Sequence, residues 1–387
     1  MPLIVLLRSK FLEMDSFCIM LRLTNRCNAE CDYCSTDTKS SDYMSLLQLS
    51  ESLDSLKNYM ETLGLNPPET DLTVCFLGGE LSTLNYDYLC KAKYLVEASM
   101  KAFSSIVLGM QTNLIMSTGK LDLIYELFDG NIGTSIDNFS DARRFKGSAN
   151  LYRETFHKNL NHISETKGKS LGACYVVSGE SITYAEKEIS LAKKNGYPIK
   201  LIVARQNYKG ESSFQFDTDI DALTDMYIKT LNDWFMQSQV AIDPLLYMLN
   251  RKLSQLGDRT QGCFESCNFT NKCHTQGVSI EPNGDFYFCQ ELADLKVLKL
   301  GNLISGDLDN LPITTAKLRE ENIAVTCSAC EHFVSCKGGC MAYSVDLGRG
   351  FSNKDPYCSL YYRIFSRIDD LIREHGLNEV LKWRNAL

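Results

Sequence analysis

Cys27, Cys31 and Cys34 stand in the run Leu-Thr-Asn-Arg-Cys-Asn-Ala-Glu-Cys-Asp-Tyr-Cys, spaced C-x3-C-x2-C, directly after the apolar stretch 19–24. Three thiolates can hold a four-iron cluster and leave one iron without a protein ligand. That open position can coordinate a small molecule, as the open position of a catalytic metal site does. Zinc is the other chemistry that short-spaced cysteines serve, but a structural zinc site wants four ligands. No fourth ligand lies nearby in sequence: after Cys34 the next cysteine is Cys75, and the first histidine is His157.

A second group contains Cys267, Cys273, Cys289, Cys327, Cys330, Cys336, Cys340 and Cys358, with Cys-Ser-Ala-Cys and Cys-Lys-Gly-Gly-Cys as its dense core. Eight ligands make two complete four-cysteine sites. A zinc ribbon built from Cys327 to Cys340 is the competing reading of this segment. The chain has 16 cysteines and no signal-peptide layout, so the expected compartment is a reducing, cytoplasmic one, where cysteines serve as ligands more often than as disulfides. Cys18, Cys75, Cys90, Cys174 and Cys263 fall outside both groups and read as small buried hydrophobes.

The elements that must position these groups follow from periodicity. Strands are expected near residues 19–24, 72–77, 106–111, 132–136, 171–177 and 199–203, alternating with amphipathic helices near 45–63, 86–100, 121–128, 151–165 and 184–194. Six such units predict an α/β fold in which a parallel sheet winds as an incomplete barrel. Ligands of these folds sit beyond the C-terminal strand ends, where Cys27 to Cys34 follow the first strand. Gly78-Gly79-Glu80 follows the second, where glycines permit close backbone approach and a carboxylate can accept from an ammonium group. Thr112 and Asn113 follow the third, Ser135 and Asp137 the fourth, and Arg143 or Arg144 could clamp a carboxylate as a planar fork. A helix over 220–236 bridges to a glycine- and cysteine-rich region, and a helix over 360–383 ends the chain. The expected divisions are an extension over 1–18, the barrel over 19–215, the bridge over 216–262, the cysteine-rich domain over 263–360 and the terminal helix over 361–387.

With 44% hydrophobic and 23% charged residues among 387, the composition is that of an ordered globular protein. A net charge of -8 argues against nonspecific nucleic-acid binding. The apolar patch over 3–7 is interrupted by charges and too short to span a membrane.

The cysteine spacing, with Tyr33 before the last cysteine, resembles the signature of the radical S-adenosylmethionine enzymes. The resemblance implies that the open iron chelates the methionine moiety and that reductive cleavage yields a 5'-deoxyadenosyl radical, which abstracts hydrogen from substrate. Gly78, Gly79 and Glu80 are similar to the motif that binds the amino group of the cofactor, with Leu81 where proline is usual. Thr112, Asn113, Ser135 and Asp137 resemble segments facing its ribose and methionine ends. The eight-cysteine order, with Gly284-Asp285 before Cys289 and Gly301-Asn302 after it, resembles the SPASM domain, a carrier of two auxiliary four-iron clusters. By position, Cys267, Cys273, Cys289 and Cys340 would hold the first, and Cys327, Cys330, Cys336 and Cys358 the second.

The resemblance therefore implies three four-iron clusters and S-adenosylmethionine as cofactors, a peptide or protein substrate, and an electron donor such as flavodoxin or ferredoxin. The reaction expected is cross-linking, oxidation or epimerisation. In the related sulfatase maturases a carboxylate just after the equivalent of Cys289 takes a proton. Gln290 stands there, so Glu291 becomes the candidate base. Only 26 residues precede Cys27, too few for a winged-helix leader-binding domain, so a separate leader-binding protein is a further expected partner. Radical oxidation or epimerisation of a small molecule is the alternative function, and a non-enzymatic zinc or cluster-binding interaction protein the less favoured one.

Overall fold

The computed structural model describes residues 15–38, 40, 42–179, 181–204, 219–258, 269–346 and 348–387; Cys263 and Cys267 lie outside them. The strands are β1 (Asp15–Arg22), β2 (Glu30–Cys31), β3 (Thr70–Leu77), β4 (Ser105–Thr112), β5 (Ile132–Ser135), β6 (Arg143–Arg144), β7 (Ala173–Val177), β8 (Ile199–Val203), β9 (Ile242–Asp243), β10 (Gly277–Ile280), β11 (Asp285–Tyr287), β12 (Gly301–Asn302) and β13 (Asp307–Leu308). The helices of the first half are α1 (Leu46–Thr62), α2 (Tyr86–Ser99), α3 (Thr118–Leu127), α4 (Ala149–Lys167), α5 (Ile182–Asn195), α6 (Ile220–Trp234) and α7 (Leu245–Gln255). Those of the second half are α8 (Cys273–Gln276), α9 (Gln290–Leu295), α10 (Leu311–Thr326), α11 (Phe333–Cys336), α12 (Met341–Asp346), α13 (Cys358–His375) and α14 (Leu377–Ala386).

Strands β1, β3, β4, β5, β7 and β8 lie side by side in sequential order, all parallel, with a helix between each pair. This single winding is the barrel-type arrangement predicted from the alternation, as opposed to a doubly wound sheet whose strand order reverses. Both faces of β1 are covered, as parallel sheets require. Phe17, Ile19 and Leu21 join the main core under the helices, while Cys18 and Met20 pack with Cys75 and Leu77 on the opposite face. Helix α1 starts where Ser45 and Gln48 form a reciprocal capping box, a device worth about 1 kcal/mol.

The sheet does not stop at the expected domain boundary. β10 pairs parallel with β1, and β11, β12 and β13 continue it antiparallel, so the cysteine-rich region grows out of the first barrel strand. These strands are two to four residues long, too short to show periodicity. The terminal helix expected over 360–383 is instead two, α13 and α14, broken at Gly376 with φ of +85°. The break turns α14 back so that Trp383 packs edge-on against Trp234 of α6 and donates its indole N–H to the Ser238 carbonyl. No helix among the described residues is long and apolar enough to cross a membrane.

Candidate functional site

The C-terminal ends of β1, β3, β4 and β5 form one rim, and the cysteine loop is laced to it by backbone. Gly79 N–H donates to the Thr24 carbonyl at 2.8 Å and Glu80 N–H to that of Arg26 at 2.8 Å. A Cβ on Gly78 would meet the Thr24 carbonyl oxygen at 2.5 Å, and one on Gly79 would meet the oxygens of Asn25 and Arg26 at 2.3 and 2.4 Å. The glycine pair is therefore required by the approach of the chain that leads into Cys27.

Glu80, 2% exposed, faces inward. Its carboxylate accepts from Ser82 N–H at 2.9 Å, the Thr112 hydroxyl at 3.0 Å and Asn113 N–H at 2.7 Å. Burial raises its pKa against those hydrogen bonds. The side chain expected to receive an ammonium group already accepts three donors that tie the β3 loop to the β4 loop, two on Oε1 and one on Oε2, which leaves Oε2 room for a further donor. Asn113 in turn donates to Asn28 at 2.8 Å and approaches the Cys27 sulfur at 3.8 Å, while Asn28 donates to the Ile115 carbonyl at 2.7 Å.

The far side of the loop is fixed by an antiparallel ribbon in which Cys31 faces Arg143 and Glu30 faces Arg144. Alternation along this ribbon separates the two arginines that sequence left equivalent. Arg144 turns outward and forks onto both oxygens of Asp32. Arg143, 6% exposed, lies 5.0 Å over the Tyr152 ring, and its Nε is buried without a hydrogen-bond partner. Asp137 is buried with both oxygens held by Ser140, at 3.0 and 2.6 Å. The Ser135 hydroxyl accepts from Gln111 at 3.2 Å, and Tyr33, half-buried, lies beside Arg143 and Cys31.

The three thiols lie close enough to act on one another electrostatically. Burial pushes Cys27 up to about 12 and Cys31 up to about 11, the latter against the field of Arg143. Buried sulfurs so placed would remain neutral without a cationic centre to hold them as thiolates. Among the described residues, no group of three or more His, Cys, Asp or Glu side chains gathers as ligands of a single metal ion. A four-iron cluster is a larger body than an ion, and an all-sulfur donor set with no imidazole or carboxylate in it suits its chemistry.

In the cysteine-rich region, Cys327 lies near Cys330 and Cys358, and Cys336 lies near Cys327 and Cys358. Cys273 and Cys340 lie by the buried Arg319, which Cys327 also neighbours. Arg319 donates to the carbonyls of Phe351, Asn353, Gly338 and Gly339. Asp355 accepts from Cys340 N–H and Tyr357 N–H, each at 2.8 Å. Between them they brace the loops carrying Cys336, Cys340 and Cys358. Cys289 caps α9 and packs on the lumen side of β1 and β3. Glu291 sits half-buried in the first turn of α9.

One buried group escaped sequence reading. Arg22, at the end of β1, pairs with Glu281 and Asp294, and Asp294 also accepts from Ser35. The available signal was a charged residue inside an apolar strand, in phase with Cys18 and Met20.

No family model matches the chain. Over 355 residues, 88% of this chain and 82% of the relative, it is 23% identical to mycofactocin maturase MftC of Mycolicibacterium smegmatis. Native anSMEcpe with bound AdoMet and Kp18Cys peptide superposes with a TM-score of 0.69 at 18% identity, covering 93% of this chain and 99% of that one. SuiB of Streptococcus suis bound to precursor peptide SuiA superposes with a TM-score of 0.56 at 14% identity, over 89% and 76% of the two chains. The chain has the fold of the radical S-adenosylmethionine enzymes. Within that class, the mycofactocin maturases are relatives in sequence along most of its length.

Proposed function

We propose that the chain is a radical S-adenosylmethionine peptide maturase: it binds S-adenosylmethionine at a cluster held by Cys27, Cys31 and Cys34 and abstracts hydrogen from a peptide. The observation that carries this reading is the three-thiol loop fixed at the sheet rim by Gly78, Gly79 and Asn113. A maturase relative aligned over most of the chain and peptide-bound structures of the same fold support the choice of substrate class. When bound, the cluster supplies the electron that splits the sulfonium.

The protein's own contribution is placement. Arg143 supplies a buried guanidinium with one unpartnered N–H, suited to the cofactor carboxylate. Glu80 fixes the two loops between which the methionine end would lie, and its Oε2, which accepts only from Asn113 N–H, together with the glycine turn would receive the ammonium. Tyr33, Thr112, Ser135 and Asp137 line or brace the same rim. Cys267, Cys273, Cys289 and Cys340, and Cys327, Cys330, Cys336 and Cys358, would hold the two further clusters that bring the total to three. Glu291 is the proposed base for substrate oxidation. A reducing donor protein and a separate leader-binding protein complete the proposed partners. Cys31→Ala should abolish 5'-deoxyadenosine formation while the absorbance of the C-terminal clusters persists; cofactor cleavage at the wild-type rate would overturn the reading.

A further inference from the structure

Arg22 is 3% exposed and stands where three segments meet. Its Nη1 donates to Glu281 Oε2 at 3.0 Å and its Nη2 to Asp294 Oδ1 at 2.8 Å, and Asp294 Oδ2 accepts from the Ser35 hydroxyl at 2.5 Å. Arg22 ends the first barrel strand, Ser35 adjoins Cys34, and Asp294 lies on α9, the helix capped by Cys289. Glu281 follows β10, the strand that joins the cysteine-rich region to β1. Two carboxylates against one guanidinium are a poor choice for stability alone, since desolvating buried ion pairs commonly offsets their attraction. Their gain is fixed geometry, and it falls on the loop of Cys34, whose sulfur is near enough to act on Arg22. Asp294 is also four residues past Gln290, one turn along the same helix face, with both oxygens occupied by donors. It is therefore a positioning residue.

We propose that Arg22, Asp294 and Ser35 form a buried joint that seats the Cys34 end of the triad against the Cys289 helix and sets the charge around the N-terminal cluster. The inference rests on the reading of Cys27, Cys31 and Cys34 as cluster ligands.

Arg22→Met and Asp294→Asn break the same ion pair in full-length protein but change the local charge in opposite senses. Reduction adds negative charge to the cluster. Its midpoint potential, followed by electron paramagnetic resonance, should therefore move down in Arg22→Met and up in Asp294→Asn. A joint that is only structural would not produce opposite signs, and shifts in the same direction, or none, overturn the charge role. Amide hydrogen exchange over residues 27–36 in metal-free protein tests the joint without the cluster. Protection should fall about tenfold in both variants and in the milder Ser35→Ala, the equivalent of one lost charge-assisted hydrogen bond. Unchanged protection in all three removes the joint. Wild-type protein that binds no iron would instead defeat the cluster reading, with the exchange result still deciding the joint.

Discussion

Replacing Glu80 by glutamine tests how the Gly-Gly-Glu segment holds the rim. Oε1 accepts from Ser82 N–H and Thr112 Oγ1–H, and Oε2 accepts from Asn113 N–H, all inside the protein. Glutamine keeps the shape but has one acceptor. If its oxygen keeps Ser82 and Thr112, its NH2 faces the Asn113 N–H, donor against donor. A buried N–H left without a partner costs about 1–3 kcal/mol, and weakening the other bonds from charge-assisted to neutral adds about 1 kcal/mol. Part of this is returned because the buried carboxylate no longer has to be desolvated, the same burial that raises its pKa. The net loss expected is about 2 kcal/mol, on the order of thirtyfold in the unfolding equilibrium. Urea unfolding near neutral pH measures it, with an unchanged denaturant slope showing that the denatured state is the same. A loss under about 0.5 kcal/mol, the level of an ordinary surface substitution, would refute the bracing role.

Two further outcomes follow from buried charge. Glu188 is fully buried on α5 and accepts from the Asn138 backbone and side-chain N–H groups at 2.6 and 2.7 Å, and burial lifts its pKa from 4.5 to about 7. Because the folded chain holds this proton more tightly than the unfolded one, the contribution is full below pH 4.5 and is lost as pH rises through about 7. The change is about 3 kcal/mol across that window. Wild-type stability should therefore fall relative to Glu188→Gln as pH rises through it; parallel curves would contradict the assignment. Arg144→Ala removes an exposed ion pair with Asp32 and should change stability by under about 1 kcal/mol, with S-adenosylmethionine affinity retained. Arg143→Met should weaken that affinity by at least about tenfold, as loss of a charge-assisted hydrogen bond implies. Equilibrium binding to reconstituted protein distinguishes the two, and equal affinities would remove Arg143 from the cofactor site.

The barrel was legible because its strands and helices are long enough for periodicity to show. Each of the six expected strands overlaps an observed one, from β1 to β8, and the cysteine loop lies at the predicted strand end. The cysteine-rich region was legible as ligands but not as structure. There, short strands and helices are held by Arg319 on four carbonyls and Asp355 on two N–H groups, long-range pairings that leave no local pattern. The choice between Arg143 and Arg144 needed the pairing of Cys31 with Arg143, because adjacent residues on a strand face opposite sides and only the partner fixes which side is inward. The terminal helix expected over 360–383 is broken at Gly376, whose positive φ lets α14 turn so that Trp383 packs on Trp234, a long-range contact that local periodicity does not show.

If the three thiols at the rim hold an iron cluster that cleaves S-adenosylmethionine, iron and cofactor cleavage must appear together in one preparation. The most direct measurement is iron, sulfide and zinc per chain in anaerobically reconstituted wild-type protein, with 5'-deoxyadenosine assayed on the same sample. The account predicts about twelve irons, on the order of three four-iron clusters, with matching sulfide and reductant-dependent 5'-deoxyadenosine. Zinc in place of iron, with no cleavage of the cofactor, would contradict it.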